Sequence, residues 1–396
     1  MTSKIKSITI IAGDYPAPKH MMLVFVQQLV HSMIDLGVNI TVIAPQSLTH
    51  ALFHQEKLLP THSIGVTESG QEYCIYRPYT LSFGNHNRLK RIAECINRYV
   101  VISRLKKIKS DVLYAHFWDS ALPIYEYALN NKIPLFVACG EGDDALEELV
   151  STLSSEQIKK LAQACSGVIS VSSENQRKCI EYNLSTIENI DVFPNCVNTE
   201  MFHKMDVSET KKTLGINDDD FVISFVGGFE RRKGPDRIAS AVKKLNDPKI
   251  KVIFIGKPFK GYSYDFDCPG TVFKGALEHK LIPKYVNCSD VFVMPTQKEG
   301  CCNAIVEALA MGLPVISANR TFNDDILNDE NSIRIDPDDI DALAEAIRLL
   351  RDDKSLRKLM SDYSLAHHEQ YTIQGRAKRI LTFINQQITK LRHVER

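Results

Sequence analysis

Two glutamates in the stretch EGCCNAIVEALAMGLPVIS, residues 299–317, stand where chemistry could use them. Glu299 sits beside Gly300, and Glu307 lies inside AIVEALAM, a run otherwise apolar on both sides. A buried carboxylate is costly unless something hydrogen-bonds it. The preceding DVFVMPT reads as a strand and QKEG as the loop after it. The next helix starts near Cys301 or Cys302, which puts Glu299 at a strand's carboxyl end and Asn303 in a helix's first turn. First-turn N–H groups lack partners and attract anions. Glu307 follows one turn beyond Asn303 on the same face. This spacing suits a phosphate at the helix start and a ribose reaching Glu307, whose two oxygens can accept from vicinal hydroxyls. Glu299 would then meet a sugar hanging from the phosphates and orient its hydroxyls. The bland alternative is that both acids pair with lysines or arginines and do nothing else.

A second constellation is VISFVGGFERRKGPDRI. A strand ends in Gly227–Gly228, Arg231, Arg232 and Lys233 follow, and Gly234–Pro235 opens a helix. Glycine lets backbone approach a ligand closely. The cations would neutralise a diphosphate, one arginine bidentately. A solvated turn with three exposed charges is the competing reading.

The amino-terminal half offers weaker candidates, all by position after strands. Asp14, Lys19 and His20 lie in the first loop, His116 ends VLYAH, and Glu141 and Asp143 follow IPLFVACG. They are acceptor-side candidates, and His116 fits a core histidine better than a base. GEGDDA at 140–145 matches a dinucleotide fingerprint, but Asp143 and Asp144 occupy the helix start and would repel a pyrophosphate. They suit helix capping instead. The runs Asp218–Asp220, Asp324–Asp325 and Asp338–Asp339 read as loops and caps. A metal-independent reaction is expected, with no cofactor beyond the substrates.

Strands and helices alternate to carry these residues. IKSITIIAG, VNITVIAP, SDVLYAH, IPLFVACG, SGVISVS and IDVFPNCV read as strands of one α/β domain, with a helix expected over 120–130. The pattern breaks at VNTEMFHKMDVSETKKTLGINDDD and restarts with FVISFVGGF, KVIFIGK, TVFKG, DVFVMPT and LPVISAN. We expect two doubly wound, Rossmann-like α/β domains facing a cleft, over residues 1–198 and 199–375. A helix at 376–396 closes the chain.

The bulk numbers bound the partners. The chain has 396 residues, too many for one core. Lys plus Arg and Asp plus Glu both number 48, so nothing argues for nucleic acid. Ten cysteines contain no CxxC pair, which fits free thiols in a reducing compartment. Neither a signal segment nor an 18–20-residue apolar span is seen, so a cytoplasmic protein is expected.

The frame PTxxEGxxNAxxEAxAxGxPVI at 295–316, the turn ending in RKG, VFPNCVN and the GDYP start resemble the retaining glycosyltransferases of the GT-B fold, family 4. The likeness covers essentially the whole chain. It implies a nucleotide-diphosphate sugar on the second domain. Glu307 would hold the ribose, and Cys302, Asn303 and Ala304 would face the distal phosphate. Gly228 lines the turn. Arg231 or Arg232, with Lys233, would neutralise the leaving diphosphate, and Glu299 would contact the donor sugar. The last helix would cross back to the first domain. The implied reaction is hexosyl transfer, UDP-sugar by default, to a glycan or lipid-linked acceptor in surface polysaccharide synthesis. The resemblance admits peripheral contact with the inner membrane face. Three positions depart from the pattern: Gly228 where an arginine is common, Cys139 where a histidine is common, and Ser332 after Asn331. A GT-B nucleotide-sugar 2-epimerase, a non-catalytic nucleotide-sugar-binding partner of a transferase and a two-domain dehydrogenase are the rivals.

Overall fold

A computed structural model describes residues 5–17, 23–55, 57–83, 87–140, 143–258 and 265–394. The chain divides into two compact units, Met1–Phe193 with Arg376–Arg396, and Pro194–Gly375.

The first unit contains β1 (Ser7–Ala12), β2 (Asn39–Ile43), β3 (Gln46–Ser47), β4 (His62–Val66) and β5 (Glu72–Tyr76). It continues with β6 (Tyr79–Thr80), β7 (Val112–His116), β8 (Leu135–Cys139), β9 (Cys165–Ser170) and β10 (Ile190–Val192). Its main sheet runs β10-β9-β8-β7-β1-β2-β5-β4. Pairing is parallel except at the edge, where β4 runs antiparallel to β5. Alternate residues bury against opposite faces: Ile8, Ile10, Val112, Tyr114 and Phe136 on one, Ile11, Leu113, Ala115, Leu135 and Val137 on the other. Burial of both faces explains why these strands read as continuous apolar runs. The helix Ile373–Val394 lays Ala377, Ile380, Phe383, Ile384 and Ile388 into the first of these cores. Arg376 Nε donates to Phe193 O at 3.2 Å, and Gln387 Nε2 to Glu188 O at 3.0 Å.

The second unit is a parallel sheet of β11 (Phe221–Val226), β12 (Ile250–Ile255), β13 (Thr271–Gly275), β14 (Val291–Met294), β15 (Val315–Ala318) and β16 (Ser332–Ile335). Its order is β13-β12-β11-β14-β15-β16. The helices Pro235–Leu245, Asn303–Ala310 and Ile340–Asp352 cover it with Ile238, Val242, Ile305, Leu309, Leu343 and Ile347. Asp339 caps the last of these through the N–H groups of Asp341 and Ala342, as the aspartate runs suggested. Gly312 ends the Asn303 helix at φ 75°, where an added Cβ would strike Leu365.

One expected element differs. Residues 120–130 form two short helices, Trp118–Ala121 and Tyr125–Asn130, rather than one. Pro123 falls between them and has no N–H to continue the ladder. Among the described residues, no helix is long and apolar enough to cross a membrane.

Candidate active site

In an open α/β sheet, ligands bind beyond the carboxyl ends of the strands where the order reverses. In the second unit that point lies between β11 and β14. β11 delivers Gly227, Gly228 and the turn to Lys233, while β14 delivers Pro295 through Glu299. The basic turn and the first glutamate therefore converge although about seventy residues separate them.

Glu299 is held by cations. Its Oε1 accepts from Arg232 Nη1 at 2.9 Å, from Thr296 Oγ1 at 3.3 Å and from Lys233 Nζ. Arg232 Nη2 donates to Glu230 Oε1 at 2.7 Å, and its Nη1 also reaches Lys298 O. Of the two arginines that the sequence left open, Arg232 joins this cluster, and Arg231 is exposed. The acid and the two cations satisfy one another.

Arg237 makes the turn possible, and sequence reasoning missed it. It is buried, and its guanidinium donates to Arg231 O at 2.8 Å, Arg232 O at 3.1 Å and Pro295 O at 2.6 Å. It thus ties the loop after β11 to the loop after β14. Gly234 lies beneath it at φ 78°, where a Cβ would sit inside the guanidinium. The signal available was the pair Gly234–Pro235 just before an arginine on an apolar helix face. Arg237→Met should leave these carbonyls unsatisfied and lower the stability of the second unit by roughly 2–4 kcal/mol. Urea denaturation would check this. A loss below ~0.5 kcal/mol would mean the turn holds itself.

The helix Asn303–Ala310 starts without a side-chain cap; Cys302 is its N-cap residue. The N–H of Ile305 donates to Cys302 O at 3.1 Å, and the Cys302 thiol faces the amides of Ile305 and Ala304 as a weak acceptor that an anion could replace. Cys302 is buried, and desolvation pushes its thiol up to about 11, so it stays neutral at physiological pH. Asn303 is exposed and its Oδ1 accepts from Asn195 Nδ2 at 2.9 Å. Glu307 lies one turn deeper. Desolvation pushes its carboxyl up to about 8. The sequence suggested a wholly buried acid, yet the residue keeps an accessible edge. Among the described residues, no hydrogen bond or ion pair engages its carboxyl. An acid in dry surroundings with an open edge and no partner is a strained ground state unless a ligand completes it.

In the first unit the order reverses between β1 and β7, so Asp14 and His116 lie at that reversal, Ala12 pairing with His116. Asp14 Oδ1 accepts from Tyr15 N at 2.6 Å and lines an open cavity of about 1900 Å³. His116 is buried against Phe25 and Phe117, and neither ring nitrogen has a partner among the described residues. Burial, with Arg376 adding repulsion, pushes it down to about 3, which keeps the ring neutral. Cys139 is also buried, with its Sγ 3.4 Å from that of Cys179. Asp143 opens the helix Asp143–Ser151. Lys19, His20 and Glu141 lie outside the described residues. The cavity itself, and the buried Arg77 in its wall, were not anticipated. Arg77 donates to Ser63 Oγ at 2.8 Å and to Pro16 O at 3.3 Å, and its Nε has no partner among the described residues. Among the described residues no group of three or more His, Cys, Asp or Glu could hold a metal ion.

Two family models match successive parts of the chain. Residues 206–367 match the family model of glycosyl transferases group 1, and residues 22–201 that of glycosyltransferase family 4. The chain is 30% identical over 289 residues to the Escherichia coli UDP-Gal:alpha-D-GlcNAc-diphosphoundecaprenol alpha-1,3-galactosyltransferase, covering 69% of this chain and 73% of that protein. It is 25% identical over 344 residues to the Bacillus subtilis putative teichuronic acid biosynthesis glycosyltransferase TuaC, covering 82% and 83%. The solved structure of Anabaena HepE in complex with UDP superposes with a TM-score of 0.68 at 15% identity, covering 98% of this chain and 100% of that one. At that identity the likeness speaks for the fold.

Proposed function

The chain belongs to the group 1 glycosyl transferases of family 4, with the GT-B fold, and from that premise we propose that it moves a hexosyl group from a UDP-sugar to an acceptor hydroxyl with retention at the anomeric carbon. The acceptor is a glycan or a lipid-linked glycan of surface polysaccharide synthesis, which is what the names of the bacterial relatives suggest. The reaction runs at the cytoplasmic side of the membrane and needs no metal.

One observation carries the reading: an acid, Glu307, with no partner among the described residues, one turn below a helix start with no side-chain cap, beside a strand-order reversal lined with cations. The ribose hydroxyls would donate to Glu307. The amide of Ala304 and the Asn303 side chain would face the distal phosphate. The diphosphate would draw Lys233 and Arg232 away from Glu299, and the freed carboxylate would accept from the donor sugar's hydroxyls. As the anomeric carbon–oxygen bond breaks and the acceptor oxygen bonds to that carbon from the same face, the acceptor's hydroxyl proton passes to the departing diphosphate, on which charge gathers. Two cations already drawn onto the diphosphate on binding, and a helix start, would offset that charge without further reorganisation in the chemical step.

A thermal-shift screen of UDP-, GDP- and ADP-sugars tests the donor assignment. A UDP-sugar at a hundred times its Kd should add about 2.7 kcal/mol of stability. No shift with any of the three would defeat the reading, and a GDP- or ADP-sugar shift alone would change the nucleotide. Isomerised donor in the absence of acceptor would favour a 2-epimerase.

A further inference from the structure

Arg77 is a buried cation with most of its donors unused. β5 ends at Tyr76, so Arg77 is the first residue beyond that strand's carboxyl end, and it is 4% exposed. A guanidinium is a rigid fork of N–H donors in one plane. Here Nη1 donates to Ser63 Oγ at 2.8 Å and Nη2 to Pro16 O at 3.3 Å, and Nε has no partner among the described residues. Each terminal nitrogen keeps a second N–H. Among the described residues no carboxylate forms an ion pair with this side chain. Asp14 acts on it only through space, and its Oδ1 already accepts from Tyr15 N at 2.6 Å. The neighbouring hydroxyls serve one another: Tyr15 Oη lies 3.0 Å from Tyr73 Oη, which lies 3.1 Å from His31 Nε2. A buried charge without a counter-ion is strongly unfavourable unless a ligand supplies one.

The open cavity gives such a ligand a way in. It lies beyond the carboxyl ends of β1, β2 and β5, lined there by Gly13, Pro45 and Arg77. The wall around Arg77 is braced. Arg77 N donates to Thr61 O at 2.8 Å, and Gln46 Nε2 donates to Arg77 O at 3.3 Å and to Leu59 O at 2.7 Å. Gln46 Oε1 accepts from Leu59 N at 2.9 Å, which fixes the facing segment. Charge narrows the ligand. Among the described residues of the wall, Asp14 and Asp119 offset Lys57 and Arg77, and Lys57 is exposed. No surplus of cations waits there for a phosphate dianion. One guanidinium offsets one negative charge, and the two oxygens of a carboxylate match its planar fork.

We propose that Arg77 binds a carboxylate of the acceptor, so that the acceptor is an acidic glycan presenting a uronic-acid-type sugar to this cavity. The inference deepens the reading of the acceptor as a glycan and rests on it. Arg77 selects the acceptor by charge and shape and takes no part in bond making.

Calorimetric titration of the native chain with the methyl glycosides of glucuronic and galacturonic acid, beside those of glucose and galactose, tests this. At least one uronide should bind at least about tenfold more tightly than its neutral counterpart, since the neutral sugar leaves the buried fork unpaired. The preference should survive added salt, because a buried pair is screened little. Arg77→Gln should erase the preference, and Arg77→Lys, which keeps the charge without the fork, should restore only part of it. An unchanged UDP-sugar thermal shift would show that each variant is folded. Equal binding of uronide and neutral glycoside by the native chain would overturn the proposal, and this comparison holds even if Arg77→Gln fails to fold. So would a preference that persists in Arg77→Gln, or one that salt abolishes. Glucose 6-phosphate binding as tightly as the uronides would put phosphate in place of carboxylate and overturn it equally. A UDP-sugar shift without any uronide preference would remove this inference and keep the donor assignment. A uronide preference without any nucleotide-sugar shift would do the reverse.

Discussion

Glu299→Gln is expected to lower transfer about a thousandfold while UDP binds as well as before or somewhat tighter. The substitution keeps shape and removes one charge. In the structure that charge is shared between Lys233 and Arg232. A donor diphosphate must compete with it for the same two cations. Without it, the cluster gains a net positive charge where the phosphates arrive. The unscreened gain would be several kcal/mol, but Arg232 is 40% exposed and solvent screens the pair. About 1 kcal/mol should survive, roughly fivefold in affinity. The chemical step loses the carboxylate that orients the sugar, and the effect should sit in kcat. Steady-state kinetics and UDP titration calorimetry on the same sample separate the two. Activity within tenfold of the native enzyme would remove Glu299 from the reaction. A parallel collapse of UDP binding would mean that Glu299 only holds the basic turn in shape.

That arrangement was partly legible in the residues. Strands buried on both faces announce themselves as apolar runs, so FVISFV and VFVM could be placed, and Glu299 and Lys233 with them at strand ends. Their convergence depended on strand order, because β11 and β14 are neighbours only through the crossover topology. The choice of Arg232 over Arg231 was hidden, since it follows from a left-handed Gly234 and from Arg237 gripping the carbonyls of the turn. An arginine in a helix's first turn ordinarily reads as solvated, and nothing local marks this one as buried. The edge strand His62–Val66 and its neighbour Glu72–Tyr76 were silent for another reason. Along them more accessible positions alternate with more covered ones, and the apolar signal is diluted. The cavity beside them, and Arg77 in its wall, stayed out of view with them.

Glu307→Gln should push stability and binding in opposite directions. The carboxyl of the folded chain titrates near 8, against an ordinary value of 4.5. Between those two values the folded state keeps a proton that the unfolded chain has released, so stability falls as pH rises and the loss is complete above about pH 8. Each unit of separation corresponds to about 1.4 kcal/mol. Allowing for the accessible edge of the side chain, we expect the glutamine variant to exceed the native second unit by roughly 2–4 kcal/mol at about pH 8. It should also show no comparable decline from about pH 5 upward. Differential scanning calorimetry across that range reads both. Nucleotide binding should move the other way. Ribose hydroxyls that donate to an ionised carboxylate draw its pKa down on binding, so the native protein must release a proton when UDP enters. Its affinity should then climb between about pH 6.5 and pH 8.5 and level off beyond. Glutamine accepts with one oxygen and no charge, which should cost roughly 1.5–3 kcal/mol and flatten the profile. A variant that is both less stable and pH-insensitive would show that Glu307 has a partner inside the fold, and the pocket for the ribose would have to be sought elsewhere.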